Sequence, residues 1–189
     1  MNSEAGKQLI RLASDQEFIY QDAWRWFVRQ GPPIAPVLIE GLDDSRLGSV
    51  AHWRILLVLR EFALPSTLPA ILKSLRLARE RRDPIVIPGA MEAVAAFPPE
   101  QSVPVMDLLL DSPDTDDVQH AAALLGNVGS ELAVNSIKRL FSRPELQVRK
   151  SAVRALLRVN SPSAREALER HRLEEPDPEI RALMGPSGT

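Results

Sequence analysis

Apolar residues return along this chain in one order: a branched anchor, in most copies an Ala four positions later, Leu-rich turns, a Pro, Asn or Gly break, then a second apolar helix. The anchors Ile19, Val50, Val86, Val118, Val148 and Ile180 stand 31, 36, 32, 30 and 32 residues apart. A sustained period of that length marks stacked repeats, because one helical pair cannot bury its apolar face alone and a neighbouring pair covers it. In the copy at Val148, residues Val148, Ala152, Ala155, Leu156 and Val159 fall at i, i+4, i+7, i+8 and i+11. That is one stripe of a 3.6-residue helix. The small side chain of Ala152 lets a partner helix approach closely.

The copies at Ile19 and Val148 align without a gap: Ala23, Trp26, Phe27, Gly31, Pro33 and Ile39 answer to Ala152, Ala155, Leu156, Asn160, Pro162 and Leu168. Each break has a physical cause. Gly31-Pro32-Pro33, Pro65-Ser66, Pro98-Pro99, Gly129-Ser130 and Asn160-Ser161-Pro162 stop one helix and start the next. Ser66, Ser130 and either Ser161 or Ser163 are the expected N-caps. Between copies, Ser112-Pro113-Asp114, Arg143-Pro144-Glu145 and Glu175-Pro176-Asp177 place a Pro and an acid where the following helix has its positive end.

The pattern predicts paired helices over 17–30 and 33–42, 49–62 and 66–80, 85–97 and 100–111, 115–128 and 130–142, and 146–159 and 162–173. A lone capping helix follows over 177–184. A short extra helix is expected before residue 15, and residues 185–189 are expected to fray. The repeats run approximately over 15–43, 47–82, 84–112, 114–143 and 145–174. Together they read as one domain over 1–189, large enough to distribute a core along its length.

The order Pro, acid, Val-Arg or Ile-Arg, then Ala and Leu-rich turns, as in Glu145, Val148, Arg149, Ala152 and Leu156, resembles the HEAT repeat. It is closest to the short bacterial form also seen in phycobilisome lyases. The resemblance covers nearly the whole chain. It implies an all-α, right-handed α-solenoid of about five HEAT-like hairpins plus the C-terminal capping helix. The copies at Val50 and Val86 depart from it, with Trp53 and Arg54 where small residues belong and an insertion near Arg79 to Asp83. In HEAT repeats the Arg after the anchor pairs with an acid of the neighbouring repeat. For Arg149 the expected acids are Asp114 or Glu145, and Arg181 holds the equivalent place.

HEAT-like stacks present the second helix of each pair on a concave face. Outward positions there are Glu40, then Lys73 and Arg76, then Asp107 and Asp111, then Lys138 and Arg139, then Glu169 and Arg172. The sign of charge alternates along the series. A groove that tracks phosphates needs one sign, so the mosaic suits a protein surface and disfavours nucleic acid. Arg76, Arg79, Arg81 and Arg82 concentrate positive charge at one helix end, where cations complement the helix dipole and are also suited to an acidic partner. Trp24 and Trp26, two apart, face different sides of their helix. Trp26 is expected in the core, with Trp24 over the N-terminal cap as a candidate anchor for a partner.

Composition narrows the chemistry. Lys and Arg number 23 against 25 Asp and Glu, a net charge of −2, so no overall field draws the protein to nucleic acid or an anionic bilayer. There is no cysteine, which removes disulfides, thiol nucleophiles and thiolate metal ligands together. Residues 1–12 lack the basic-then-apolar order of a secretory signal, so a cytoplasmic location is expected. The longest aliphatic run, Ile55 to Leu59, is far short of the roughly 20 residues a membrane span needs. Asp111, Asp114, Asp116 and Asp117 lack the ligand spacing of a calcium loop, and His52, His120 and His171 form no metal pair.

No motif requires a metal or a cofactor, and no nucleophilic triad or phosphate loop is present. Nothing marks a bilin pocket, and the basic groove of a HEAT-like alkylpurine glycosylase is missing. The expectation is a non-enzymatic scaffold or adaptor that docks another protein on its concave face. Its alternatives are a lyase-like or chaperone-like subunit acting on a modified protein, and a weak nucleic-acid binder through Arg76 to Arg82.

Overall fold

The computed structural model describes residues 3–185, so the tail expected to fray lies outside the described residues from 186 onward. Among the described residues the chain is all α, with twelve α-helices, three short 3-10 segments and no strand. It divides into two compact units, Met1–Phe97 and Pro98–Thr189, a boundary that falls within the repeat expected over 84–112. Each unit is a stack of helical hairpins, the all-α repeat-solenoid architecture that the period predicts.

The first unit holds α1 (Glu4–Leu12), α2 (Glu17–Gln30), α3 (Ala35–Asp43), α4 (Gly48–Phe62), α5 (Leu68–Arg81) and α6 (Val86–Ala95). The first helices of successive hairpins stack in order, α2 on α4 and α4 on α6, while α3 meets α5. The extra helix α1 packs against α2, α3 and α4 and buries Leu9 and Leu12. Phe27, Leu38, Ile55, Leu56, Leu59, Ile71 and Met91 are buried in this core. Each such side chain contributes about 1.5–3 kcal/mol relative to exposure.

Arg54, out of place in the repeat pattern, is explained by α1. Its Nη1 donates to the carbonyls of Leu12 and Ser14 at 2.5 and 2.7 Å, and its guanidinium lies 3.7 Å over the Tyr20 ring centroid. The last carbonyls of a helix have no partner within the helix, and a cation there satisfies them and complements the helix dipole. Trp53 is accommodated by the absence of a side chain at Gly89: a Cβ there would stand 2.4 Å from the indole Cδ1. Trp26, expected in the core, is half-buried and meets Phe27 edge-on at 5.1 Å; Phe27 takes the fully buried position instead.

The second unit holds α7 (Pro99–Leu109), α8 (Thr115–Val128), α9 (Glu131–Lys138), α10 (Leu146–Val159), α11 (Pro162–Glu174) and α12 (Pro178–Leu183). Here α8, α10 and α12 stack in sequence, as do α7, α9 and α11. The approach of α8 to α10 is close enough that a Cβ on Gly126 would lie 2.8 Å from the Cα of Ala155. Asp114, Ser130, Ser161 and Asp177 each accept an amide as N-cap of α8, α9, α11 and α12.

Local chemistry also explains where the boundaries move. Ser66 makes no cap; a 3-10 turn over Pro65–Thr67 precedes α5, and another over Pro32–Ile34 precedes α3. In both cases the α-helix proper starts where Pro69 and Pro36 need no amide partner. The insertion near Arg79 to Asp83 is mostly helix: α5 runs to Arg81 and stops on Arg82 in the left-handed conformation, φ 52°. Asp83 then accepts the amides of Ile85 and Val86 at 3.0 and 3.1 Å to start α6. The helix expected over 130–142 tightens into a 3-10 turn at Arg139–Ser142.

Candidate functional site

An open groove of about 530 Å³ lies in the second unit, between the end of α9 with its 3-10 turn and the face of α11 that meets it. One side supplies Lys138, Arg139, Phe141, Ser142 and Arg143; α11 and the residues after it supply Ala167, Arg170, His171, Glu174, Glu175 and Pro176; Arg149 comes from α10. The 3-10 turn matters to this shape. It follows α9 directly and carries Phe141, whose ring stacks on His171 with centroids 3.7 Å apart and planes 6° from parallel.

Behind the stack is a buried charged cluster. Glu175 is 1% exposed and takes His171 Nε2 at 2.8 Å, Arg149 Nε and Nη2 at 3.1 and 3.2 Å, and the Asp177 amide at 3.0 Å. Burial pushes the Glu175 carboxyl up, but the hydrogen bonds from Arg149, Asp177 and His171 outweigh it and hold the group below its ordinary range. Arg149 Nη1 also donates to the carbonyls of Arg143 and Pro144 at 3.0 and 2.9 Å. An inter-repeat ladder is therefore formed, but with Glu175 and not with Asp114 or Glu145. Asp114 is spent on capping α8, and Glu145 is held by Arg143 at 3.1 and 3.2 Å. Arg181 repeats half of this arrangement, donating to the carbonyls of Glu175 and Pro176 at 2.7 and 3.1 Å.

The rim of the groove is cationic. Arg139 bridges Asp107 at 2.8 Å and Asp111 at 2.5 Å. Arg170 reaches back one helical turn to Glu166 at 2.7 Å, both side chains about two-thirds exposed. Lys138 has no ion-pair or hydrogen-bond partner among the described residues. Of the other positions expected on this face, Glu169 is exposed on α11 outside the lining, and Arg172 donates to the Gly185 carbonyl at 2.9 Å.

In the first unit the expected positions gather less. Lys73 pairs with Asp43 at 2.7 Å, linking α5 to α3 much as Arg139 links the turn after α9 to α7. The alternation of sign along the second helices thus serves, at these steps, as a ladder between neighbouring hairpins. Glu40 is exposed. Arg76, Arg79, Arg81 and Arg82 are exposed without ion-pair partners among the described residues, and Arg81 lines a cavity of only about 40 Å³ with Lys73, His52 and Asp83. Trp24 is half-buried.

Ser49, His52 and Asp83 approach one another there, but Ser49 Oγ bonds Asp83 at 2.5 Å while His52 Nε2 meets the Asp44 carbonyl at 3.1 Å. A serine held by a carboxylate, with the imidazole engaged elsewhere, lacks the nucleophile-to-base contact of covalent catalysis. Among the described residues no group of three or more His, Asp or Glu side chains is placed to hold a metal. No described helix is long and apolar enough to cross a membrane.

Sequence reasoning missed Phe141, His171, Glu175, Arg143 and Arg170 as groove residues. A signal was present: Phe141 and His171 stand 30 residues apart, one repeat, as do Arg143 and Glu175 at 32. Phe141 and His171 meet across the stack, and Arg149 joins the Arg143 carbonyl to the Glu175 carboxylate.

Residues 104–184, from within α7 to the end of α12, match the family model for HEAT repeats. Sequence comparison with curated proteins returns no match. Among solved structures, an engineered protein from the Northeast Structural Genomics Consortium superposes with a TM-score of 0.51 at 20% identity, covering 96% of this chain and 94% of that one. A designed armadillo repeat protein in complex with the peptide (KR)4 gives a TM-score of 0.51 at 16% identity, covering 96% of this chain and 97% of that one. Human deoxyhypusine hydroxylase gives 0.48 at 13%, covering 96% of this chain and 93% of that one, a likeness too distant to bear on activity.

Proposed function

We propose that the chain is a non-enzymatic, cytoplasmic scaffold built of HEAT-like repeats over its whole length, of the short bacterial form, which docks a partner protein on the second helices of its hairpins. The observation that carries the reading is the groove beside α11: a wide, open cleft with a charged rim and an aromatic wall, whose His171 and Glu175 are bonded to each other. A stack ordered before binding loses little conformational entropy on association, which favours such a surface as a dock. The designed armadillo protein, held with the peptide (KR)4, illustrates a related architecture carrying a peptide ligand. In this reading Lys138, Arg139 and Asp107 belong to the docking face in the second unit. Glu40, Lys73, Arg76, Arg79, Arg81 and Arg82 belong to it in the first, with Glu169, Arg172 and Trp24 contributing at its edges.

Affinity capture from the source cell tests this. The tagged full chain is compared with a variant carrying Arg76→Glu, Arg79→Glu, Lys138→Glu and Arg139→Glu, both checked for equal helical content by circular dichroism. A protein retained by the first and lost by the second is the expected result. Recovery of nucleic acid or a coloured cofactor in its place contradicts the scaffold reading.

A further inference from the structure

The groove lining carries five cations, Lys138, Arg139, Arg143, Arg149 and Arg170, against two carboxylates, Glu174 and Glu175. Of those carboxylates Glu175 is buried and consumed by Arg149 and His171. The cations differ in what they have left to offer. Arg143 and Arg149 face carboxylates and backbone carbonyls of their own chain, and Arg139 is clamped between two aspartates. Lys138 is unpaired among the described residues. Arg170 holds only Glu166 one turn away, in an exposed pair of the kind worth little in water. Two available cations therefore stand on opposite sides of the cleft, and the stacked Phe141 and His171 join the segments that carry them.

We propose that this groove takes an acidic segment of a partner protein, with carboxylates meeting Lys138 and Arg170 and an apolar side chain lying against Phe141. The inference rests on the scaffold reading and names the chemistry of the partner. Complementary charge steers such a segment in and sets its register, while the aromatic surface supplies apolar area. A nucleic-acid strand fits less well. Its charge is continuous, whereas the open cations here are two and separated, and Glu174 stands among the lining residues. A peptide that alternates acidic and apolar side chains matches that spacing of features.

Fluorescence anisotropy on the full chain tests the proposal at physiological salt. The probes are a fluorescein-labelled decapeptide alternating glutamate with leucine, its glutamine and lysine counterparts, and a single-stranded ten-nucleotide DNA. The glutamate peptide is expected to bind at least tenfold more tightly than each of the other three. Lys138→Glu with Arg170→Glu should weaken it at least tenfold. Arg154→Glu with Arg158→Glu makes the same change of net charge on exposed positions of α10, and should alter binding less than twofold. Phe141→Ala should weaken the leucine peptide more than one with serine in place of leucine.

Equal loss in both double variants would mean a general field and not a site, and would overturn the proposal. So would tighter binding of the oligonucleotide, equal binding of the glutamine peptide, or no binding of the glutamate peptide at millimolar concentration. The two readings fail separately. A captured partner that survives Lys138→Glu with Arg170→Glu but is lost on reversal at Arg76 and Arg79 removes this site and leaves the scaffold standing. Acidic-peptide binding without any captured partner does the reverse.

Discussion

In the second unit Gly126 of α8 faces Ala155 of α10 so closely that a Cβ would meet backbone, at 2.8 Å from Cα and 3.0 Å from the carbonyl oxygen. In the first unit a glycine at a different register, Gly89 of α6, faces the indole of Trp53 on α4. Both are contacts between first helices of successive hairpins, and in both a missing side chain makes room. Small against small brings two backbones together and keeps the repeat regular. A large ring against glycine fills the gap with a side chain, and the sequence drifts from the repeat pattern while the helices still stack. The HEAT-repeat match over 104–184 lies entirely in the regular unit.

The two units also hold their inward-reaching arginines differently. Arg54 in the first is held by carbonyls at the end of α1 and by a tyrosine ring, with no carboxylate bonded to it. Arg149 in the second is matched by the buried Glu175. The largest expected effect is therefore at Glu175. Glu175→Gln leaves Arg149, 13% exposed, without its counter-charge. Removing one partner of a buried pair costs about 3 kcal/mol. That lowers Tm by about 6–12 °C for a chain of this size if it unfolds in one step.

The same pair has a pH signature. The folded pKa of Glu175 is depressed, so its contribution is complete above the unfolded carboxylate value, about 4.3, and is lost as pH falls through the depressed one. Wild-type Tm should fall across that acid interval more steeply than the Tm of the Gln variant, as read by calorimetry from pH 7 to 3.

Next in size is Arg54→Met, which strands the carbonyls of Leu12 and Ser14. With hydrogen bonds to a charged group worth about 1.5–3 kcal/mol, a loss of about 2 kcal/mol is expected in chemical denaturation. Protection from hydrogen exchange should drop first in α1. Gly126→Ala follows. Ala gains about 1 kcal/mol over Gly in a helix, but the clash with backbone costs about 1–3 kcal/mol, so the net result is destabilisation of about 1 kcal/mol. Gly41→Ala sharpens the contrast with the smallest effect. The atoms its Cβ would meet, Ile55 Cδ1 at 2.9 Å and Leu9 Cδ2 at 3.0 Å, are tips of flexible side chains that can turn aside. A change within about 0.5 kcal/mol of wild type is expected there, since the gain in helix propensity offsets the crowding. Equal losses at Gly41 and Gly126 would break the distinction between side-chain and backbone contact.

These differences follow what a one-dimensional reading can reach. Helix positions depend on the spacing of apolar residues and on nearby breaks, so the helices around Val118 and Val148, with their Ser130 and Ser161 caps, were legible to within a residue or two, except at the end of α9, where the last turn tightens to 3-10. The 3-10 turns before α3 and α5 were not, because Pro32, Pro33 and Pro65 signal a break without saying how long it lasts. Arg149 was legible as a ladder residue, yet its acid was not. A long side chain takes whichever carboxylate packing brings within reach, and here that is a residue 26 positions later. The groove was hidden for the same reason. Lys138 and Arg139 were recognised on the second-helix face, but Phe141 and His171 become a site only when adjacent hairpins set them ring to ring.

Hydrogen exchange over the whole chain, with and without the partner recovered by affinity capture, tests the docking claim most directly. The account predicts new protection in the second helices, strongest from α9 through Ser142 and along α11, with α8 and α10 unchanged. Protection centred on α8 and α10, or none in either set, would contradict it.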